Sequence, residues 1–293
     1  MIPAHSQKPA FRFAPSPNGL LHLGHAYSAI LNYDLAKEAD GRFLLRMEDI
    51  DIARCTPKFE AAIFDDITWL GLTWEKPVRR QSEHLDTYKK SLERLIGRGL
   101  AYPAFMTRGE VKVCVAEAQD RGMAWPRDPD GAPHYPLRDR HMSADERNIR
   151  IANGARHAWR LDMRQAIAEL SGELTWQESG DGEVGTILAD PAAWGDVILW
   201  RSDAPASYHL SVVLDDADQE ITHVVRGLDL FHATSVHRLL QELMGLPQPT
   251  YHHHRLILAE DGRKLSKSEK STGLSQLRTA GLSPAAVRRL LDM

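Results

Sequence analysis

The sequence predicts an α/β protein built on a parallel sheet, and three observations carry that expectation. A strand, a turn, a helix and a second strand follow one another within about 40 residues near the start, the spacing of a βαβ unit. Further short apolar runs of strand length return after residue 195, at Val197-Ile198-Leu199-Trp200 and Ile221-Thr222-His223-Val224-Val225. The chain has 293 residues, 43% hydrophobic and 26% charged, the balance of a folded globular protein rather than of a disordered or fibrous one. A chain of this length buries on the order of 75% of its unfolded surface.

The elements follow in order. Phe11-Arg12-Phe13-Ala14 reads as a strand that ends in the turn cluster Pro15-Ser16-Pro17-Asn18-Gly19. Leu20-Leu21-His22-Leu23-Gly24-His25 and then a helical stretch to Ala39 follow, broken by Asp40-Gly41. Phe43-Leu44-Leu45-Arg46-Met47 is the second strand, ending at Glu48-Asp49-Ile50-Asp51. The stretch 82–98 predicts a helix capped by Ser82, with Leu85, Tyr88, Leu92, Leu95 and Ile96 on one face and Gly97 or Gly99 as its stop. From 101 to about 156 the pattern weakens into an inserted, loop-rich region punctuated by Pro103, Pro126, Pro129, Pro133 and Pro136. The stretch 234–244 is helical and ends at Gly245-Leu246-Pro247, and a short helical tail closes the chain. The expected organisation is a first half of a catalytic domain at 1–100, an inserted subdomain at 101–195, the second half at 196–250, and a loop with its helical tail at 251–293.

Composition also excludes several classes. The formal charge of −4, from 36 basic and 40 acidic residues, leaves any nucleic-acid surface to be local. Two cysteines, Cys55 and Cys114, exclude a disulfide scaffold and make a reducing, cytoplasmic setting the expectation. The first ten residues lack the apolar core of a signal peptide, and no apolar run approaches the ~18 residues of a membrane span. Nothing suggests a coiled coil, so a monomer is expected.

Several residues could carry chemistry. His22-Leu23-Gly24-His25 lies where a strand feeds a helix, whose N-terminus presents free N–H groups and a positive dipole end suited to phosphate. The same two imidazoles could equally be surface histidines. Lys264-Leu265-Ser266-Lys267-Ser268 would stabilise charge on a leaving pyrophosphate, or be a solvated basic loop. Basic residues outnumber acidic ones in the tail that follows. Arg12 in the first strand, Glu48 after the second and Arg226 after a later one complement a ligand with two carboxylates and one ammonium, namely glutamate. Each could also be an ordinary ion-pair partner. His252-His253-His254 resembles a metal tract, but neighbours on an extended segment point to opposite faces. Asp215-Asp216 could hold magnesium or serve a turn or helix cap.

Taken together, the segments 11–25, Arg46-Met47-Glu48-Asp49-Ile50-Asp51, 208–216, 222–230 and Lys264-Leu265-Ser266-Lys267-Ser268 resemble the class I glutamyl-tRNA synthetase family, with its HIGH and KMSKS elements. The resemblance spans 11–268 and is weakest in the insertion. It implies a Rossmann-like catalytic domain with an inserted acceptor-binding-like subdomain. It implies that Arg12, Ala14, Ser16, Glu48, Tyr208 and Arg226 bind glutamate, and that His22, Gly24, His25 and Lys267 hold ATP with its Mg²⁺. His22, His25, Lys264 and Lys267 would form the catalytic set. The implied chemistry is attack of the glutamate α-carboxylate on the α-phosphate, giving glutamyl-adenylate and pyrophosphate.

Only 25 residues follow Ser268, too few for the anticodon-binding region of full-length members. The chain is therefore most similar to the truncated glutamyl-Q tRNA(Asp) synthetase subfamily. That resemblance implies tRNA-independent activation of glutamate and its transfer to queuosine at the wobble position of tRNA(Asp). The alternatives are charging of tRNA(Glu), a silent nucleotide- or tRNA-binding paralogue, and a nucleotidyltransferase of the same superfamily. Many members of the subfamily bind zinc through three cysteines and a tyrosine. Here those positions hold Ala104, Met106, Tyr135 and Asp139, so all three thiolates are missing and zinc is not expected. Packing by Trp125, Tyr135 and Leu137 would hold the insertion instead. Metal analysis of protein purified without chelator is expected to find no stoichiometric zinc; one zinc per chain would refute this reading.

Overall fold

The computed structural model describes residues 8–201, 205–258 and 273–293. Lys264 and Lys267 lie outside the described residues. The chain opens with β1 (Ala10–Phe13), α1 (Leu23–Glu38), β2 (Arg42–Met47), α2 (Pro57–Trp69), β3 (Glu75–Arg80) and α3 (Leu85–Gly97). β4 (Ala101–Ala104), α4 (Arg108–Asp120), α5 (Ala144–Ala152), β5 (Ala158–Leu161) and α6 (Met163–Ala168) follow, and then β6 (Thr175–Glu178), β7 (Gly185–Leu188) and β8 (Ile198–Arg201). The last elements are α7 (Tyr208–Asp218), β9 (His223–Gly227), α8 (Thr234–Met244), β10 (Thr250–His254), α9 (Leu274–Thr279) and α10 (Pro284–Leu290).

The main sheet has the order β3-β2-β1-β9-β10-β6-β7, parallel throughout except for β7, which runs antiparallel to β6. β1 is buried along its whole length, as a central parallel strand must be when both faces are covered. The parallel βαβ start read from the sequence is present. A second, antiparallel sheet of order β4-β5-β8 forms the insertion. The sheets do not divide at 101–195. β6 and β7 lie within that stretch yet extend the main sheet, while β8 lies beyond it yet completes the small one. β6 escapes pattern reading because it is four residues long, Thr-Trp-Gln-Glu, with Glu178 buried at its end.

Two local expectations are corrected. Ser82 does not cap α3; the helix begins after His84, and Ser82 bonds Asp49 through its N–H (2.8 Å) and hydroxyl (2.6 Å). An ionised carboxylate that accepts both donors is a stronger partner than a helix N–H. Leu137 is 46% exposed and does not pack the insertion. Tyr135 is buried there, and Trp125 donates its indole N–H to the His134 carbonyl at 3.0 Å.

The positions of the absent zinc ligands are joined by hydrogen bonds. Asp139 is fully buried and accepts the Phe105 N–H (2.6 Å), the Met106 N–H (3.3 Å) and the Tyr135 hydroxyl. One carboxylate thus ties the end of β4 to the loop before α5. The helical tail returns to the first βαβ unit, where Leu274, Val287 and Leu291 are buried and Arg288 grips Asp34 at 2.6 and 2.9 Å. Asp139→Ala would strand the Phe105 N–H and the Tyr135 phenol, while the Met106 N–H keeps the Tyr135 oxygen at 2.9 Å. It is expected to cost about 2–3 kcal/mol in urea unfolding; an unchanged midpoint would contradict this role.

Candidate active site

In open α/β sheets the ligand crevice lies beyond the carboxyl ends of the strands, where the strand order switches direction. In this sheet the switch falls between β1 and β9. A cavity of about 340 Å³ opens there, lined by Arg12, Ala14, Ser16, His22, Gly24, His25, Glu48, Tyr208 and Arg226 among others. The sequence-named residues inside the described regions therefore converge on one cavity.

His22 and His25 form the N-terminal cap of α1. The His22 Nδ1 accepts the Gly24 N–H at 3.1 Å, the His25 Nδ1 accepts the His22 N–H at 3.1 Å, and the ring centroids are 3.8 Å apart. An imidazole nitrogen that accepts an amide N–H carries no proton, so each neutral ring carries its proton at Nε2. The two rings are thus fixed as donors beside a positive helix end, an arrangement suited to phosphate oxygens. Gly24 makes this possible: a Cβ there would lie 3.1 Å from the His22 Cε1 and 3.2 Å from its Nδ1. The chain re-enters beside this cap, because Leu274 donates its N–H to the Leu21 carbonyl at 2.8 Å.

The charged residues are braced from behind. Arg12 pairs with Asp216 through Nε (2.9 Å) and Nη2 (3.3 Å), and its Nη1 has no partner among the described residues. Arg46, fully buried, donates to Asp216 (2.7 Å), Gln219 (3.0 Å) and Glu48 (3.3 Å). Burial pushes Glu48 up from its ordinary value, against the pull of the Arg46 and Arg12 guanidiniums. Burial also acts to raise Asp216, but Arg12 and Arg46 outweigh it and hold that carboxyl lowered. Asp215 accepts from Arg79 (2.7 Å), Gln81 (2.8 Å) and Tyr88 (2.8 Å). The two aspartates of α7 are therefore structural anions and not magnesium ligands. Among the described residues no cluster of three or more His, Cys, Asp or Glu is placed to hold a metal.

Arg226 is fully engaged. It donates to the His253 Nε2 (3.0 Å), Tyr208 hydroxyl (3.3 Å), His237 Nδ1 (3.0 Å), Leu230 carbonyl (3.1 Å) and Thr234 hydroxyl (2.7 Å). These five acceptors use all five N–H groups of a guanidinium. The Tyr208 hydroxyl, as acceptor from Arg226, keeps its own proton to donate. Charge logic in the sequence found Arg12, Glu48 and Arg226. It missed Arg46, His237 and Glu178, and it gave Asp216 and His253 other roles, although these residues form the bracing network. A basic residue in the apolar run Phe43-Leu44-Leu45-Arg46-Met47 was the available signal for Arg46.

A second hollow of about 540 Å³ adjoins the first and shares Ser16, Glu48 and Tyr208 with it; Arg54, Gln81, Arg160 and His209 line its farther side. Among the described residues no helix is long and apolar enough to cross a membrane.

The family described as tRNA synthetases class I (E and Q), catalytic domain, matches residues 10–292. A Rhodobacter capsulatus protein named glutamyl-Q tRNA(Asp) synthetase is 46% identical over 286 residues, covering 96% of this chain and 99% of its own length. A glutamate–tRNA ligase of Syntrophus aciditrophicus is 35% identical, with 99% of this chain matching 58% of that one. The crystal structure of a glutamate tRNA ligase from Elizabethkingia meningosepticum in complex with its amino acid superposes with a TM-score of 0.74 at 29% identity, over 94% of this chain and 54% of that one. The chain thus spans little more than half the length of these two ligases. Gly24→Ala would crowd the His22 ring and force a small shift of the cap. It is expected to lower ATP-dependent turnover roughly 10–100-fold with little loss of fold; wild-type turnover would exclude the cap from the chemistry.

Proposed function

This chain belongs to the catalytic-domain family of the class I glutamyl- and glutaminyl-tRNA synthetases, and we propose that it activates L-glutamate with ATP and transfers it to queuosine at the wobble position of tRNA(Asp). The observation that carries the first half is the convergence of Arg12, Glu48, Tyr208 and Arg226 with the His22–His25 cap on one cavity. The choice of acceptor rests on the match along nearly the full length of the Rhodobacter capsulatus relative.

In this reading Arg12 offers its unpartnered Nη1 to one carboxylate of glutamate. Tyr208, its hydroxyl oriented by Arg226, donates to the other. Glu48 receives the ammonium, and Ala14 and Ser16 shape the wall. His22 and His25 donate from Nε2 to the polyphosphate, over the backbone kept open at Gly24. ATP arrives with Mg²⁺ as a substrate complex. A glutamate α-carboxylate oxygen attacks the α-phosphorus, the bond to the bridging oxygen breaks, and pyrophosphate leaves with the electron pair. Lys264 and Lys267, outside the described residues, would neutralise that leaving charge. No protein nucleophile is required: positioning and electrostatic stabilisation suffice. The acyl group then passes to a hydroxyl of the modified nucleoside and AMP leaves. The adjoining 540 Å³ hollow gives that nucleoside a route to the Glu48–Tyr208 edge.

Labelled glutamate is expected on queuosine-containing tRNA(Asp) and not on queuosine-free tRNA(Asp) or tRNA(Glu). Label on tRNA(Glu) would replace this acceptor with the terminal ribose. Lys267→Ala is expected to lower the rate of adenylate formation at least ~100-fold with a much smaller change in the KM for glutamate. Equal loss in both would place Lys267 in binding instead.

A further inference from the structure

We propose that Glu178, acting through His253, is a positioning residue that fixes the orientation of Arg226 in the glutamate pocket; the proposal rests on the reading of that pocket given above. Arg226 can only donate, so the His253 nitrogen that receives its Nε–H, at 3.0 Å, must be unprotonated. The proton of a neutral His253 is then on Nδ1, and it faces the Glu178 Oε2 at 2.6 Å. The carboxylate is filled on every side. Its Oε2 also accepts the Trp176 indole N–H (3.1 Å), and its Oε1 accepts the backbone N–H groups of His253 (2.8 Å) and Gly180 (2.9 Å). Both side chains of the pair are fully buried.

The order of the chain Glu178–His253–Arg226 is therefore determined by donor and acceptor count. Reversal of the His253 tautomer would set N–H against N–H at Arg226 and a lone pair against a carboxylate at Glu178. The groups facing His253 agree with a neutral ring. Burial, the Arg226 charge and His254 disfavour a second proton, Glu178 favours one, and the balance lowers His253 to about 4. Thr234 reaches the same Nε2 at 3.3 Å and shares Arg226 Nη2, so β9, β10 and α8 brace the guanidinium together.

Backbone packing brings Glu178 within reach. β6 meets β10 in parallel, with Glu178 opposite Tyr251, and the chain then turns across β10. Gly180 lies so close to that strand that a Cβ would stand 2.2 Å from the His253 carbonyl oxygen. A residue 48 positions before Arg226, in a stretch the sequence assigned to the insertion, thereby reaches the substrate site.

Glu178→Gln tests the order directly, because either orientation of the amide sets its NH₂ against donors. Glutamate-dependent ATP–pyrophosphate exchange in this variant is expected to show a KM for glutamate raised roughly tenfold and an unchanged KM for ATP. His253→Gln, a second route to the same break, should show the same split. A parallel loss for both substrates, or no change, overturns the role of Glu178. Ring ¹⁵N spectra of the unmodified chain supply a readout that needs no activity. His253 should be protonated at Nδ1 and stay neutral from about pH 8 to about pH 5; a proton at Nε2, or titration near the ordinary histidine value, overturns the proposal. A wild-type chain with no glutamate-dependent exchange overturns the reading of the substrate, and with it this role. Wild-type exchange with unaltered variants overturns the role alone.

Discussion

Asp215 and Asp216 on α7 are the constraint on which the rest of the site depends. Three guanidiniums meet them, Arg12 from β1, Arg46 from β2 and Arg79 from β3, and none of the pairings is open to bulk water on the carboxylate side. A buried carboxylate without its partners would be prohibitive, and each partner without its carboxylate nearly as costly, on the order of 3–5 kcal/mol for a broken pair. The helix is therefore locked over the ends of three parallel strands. That lock places Tyr208, at the other end of α7, over the cavity, and it holds Arg12 with one edge of its guanidinium paired to Asp216 while the residue lines the cavity.

The second arginine is held by different means. Among the described residues Arg226 has no carboxylate in contact; its acceptors are two neutral imidazoles, two hydroxyls and a carbonyl. Burial pushes His237 well below its ordinary value, with the Arg226 charge adding to the effect, and drives His209 to about 4 for the same two reasons. Neutral acceptors keep the positive charge of Arg226 uncompensated at close range, which suits recognition of an anion in a site of low dielectric. The two arginines are thus held differently: one is half-neutralised by Asp216, while the other is charged and fully bonded, with the Tyr208 hydroxyl among its acceptors.

Much of this was legible in the sequence where chemistry is tied to a local pattern. A strand, a turn rich in proline and glycine, and two histidines announce the helix start, although the sequence suggested phosphate donors or surface histidines and the structure shows them capping the helix. Arg12, Glu48 and Arg226 could be read from their charges, Arg12 within the first strand and the other two at the ends of later ones. What could not be read depends on distant register. Asp215-Asp216 suggested a metal or a turn, because nothing local says that three arginines from other strands will reach them. His252-His253-His254 suggested a tract, although His253 is the one that bonds Glu178 and Arg226, and His254, also buried, lines the cavity. Ser82 was assigned a cap, and Asp49, 33 residues away, took its donors. Asp139 and Tyr135 stand where the resemblance led one to look for metal ligands, and only their hydrogen bonds show how that corner closes without thiolates.

Among the described residues both arginines are braced by the protein itself, so the proposed activation of glutamate is expected without nucleic acid. The most direct test is exchange of labelled pyrophosphate into ATP with the purified chain and no RNA. The account predicts exchange that depends on L-glutamate and is weak or absent with L-glutamine and L-aspartate. Exchange that begins only when a tRNA is added, or that runs equally with glutamine, would contradict it.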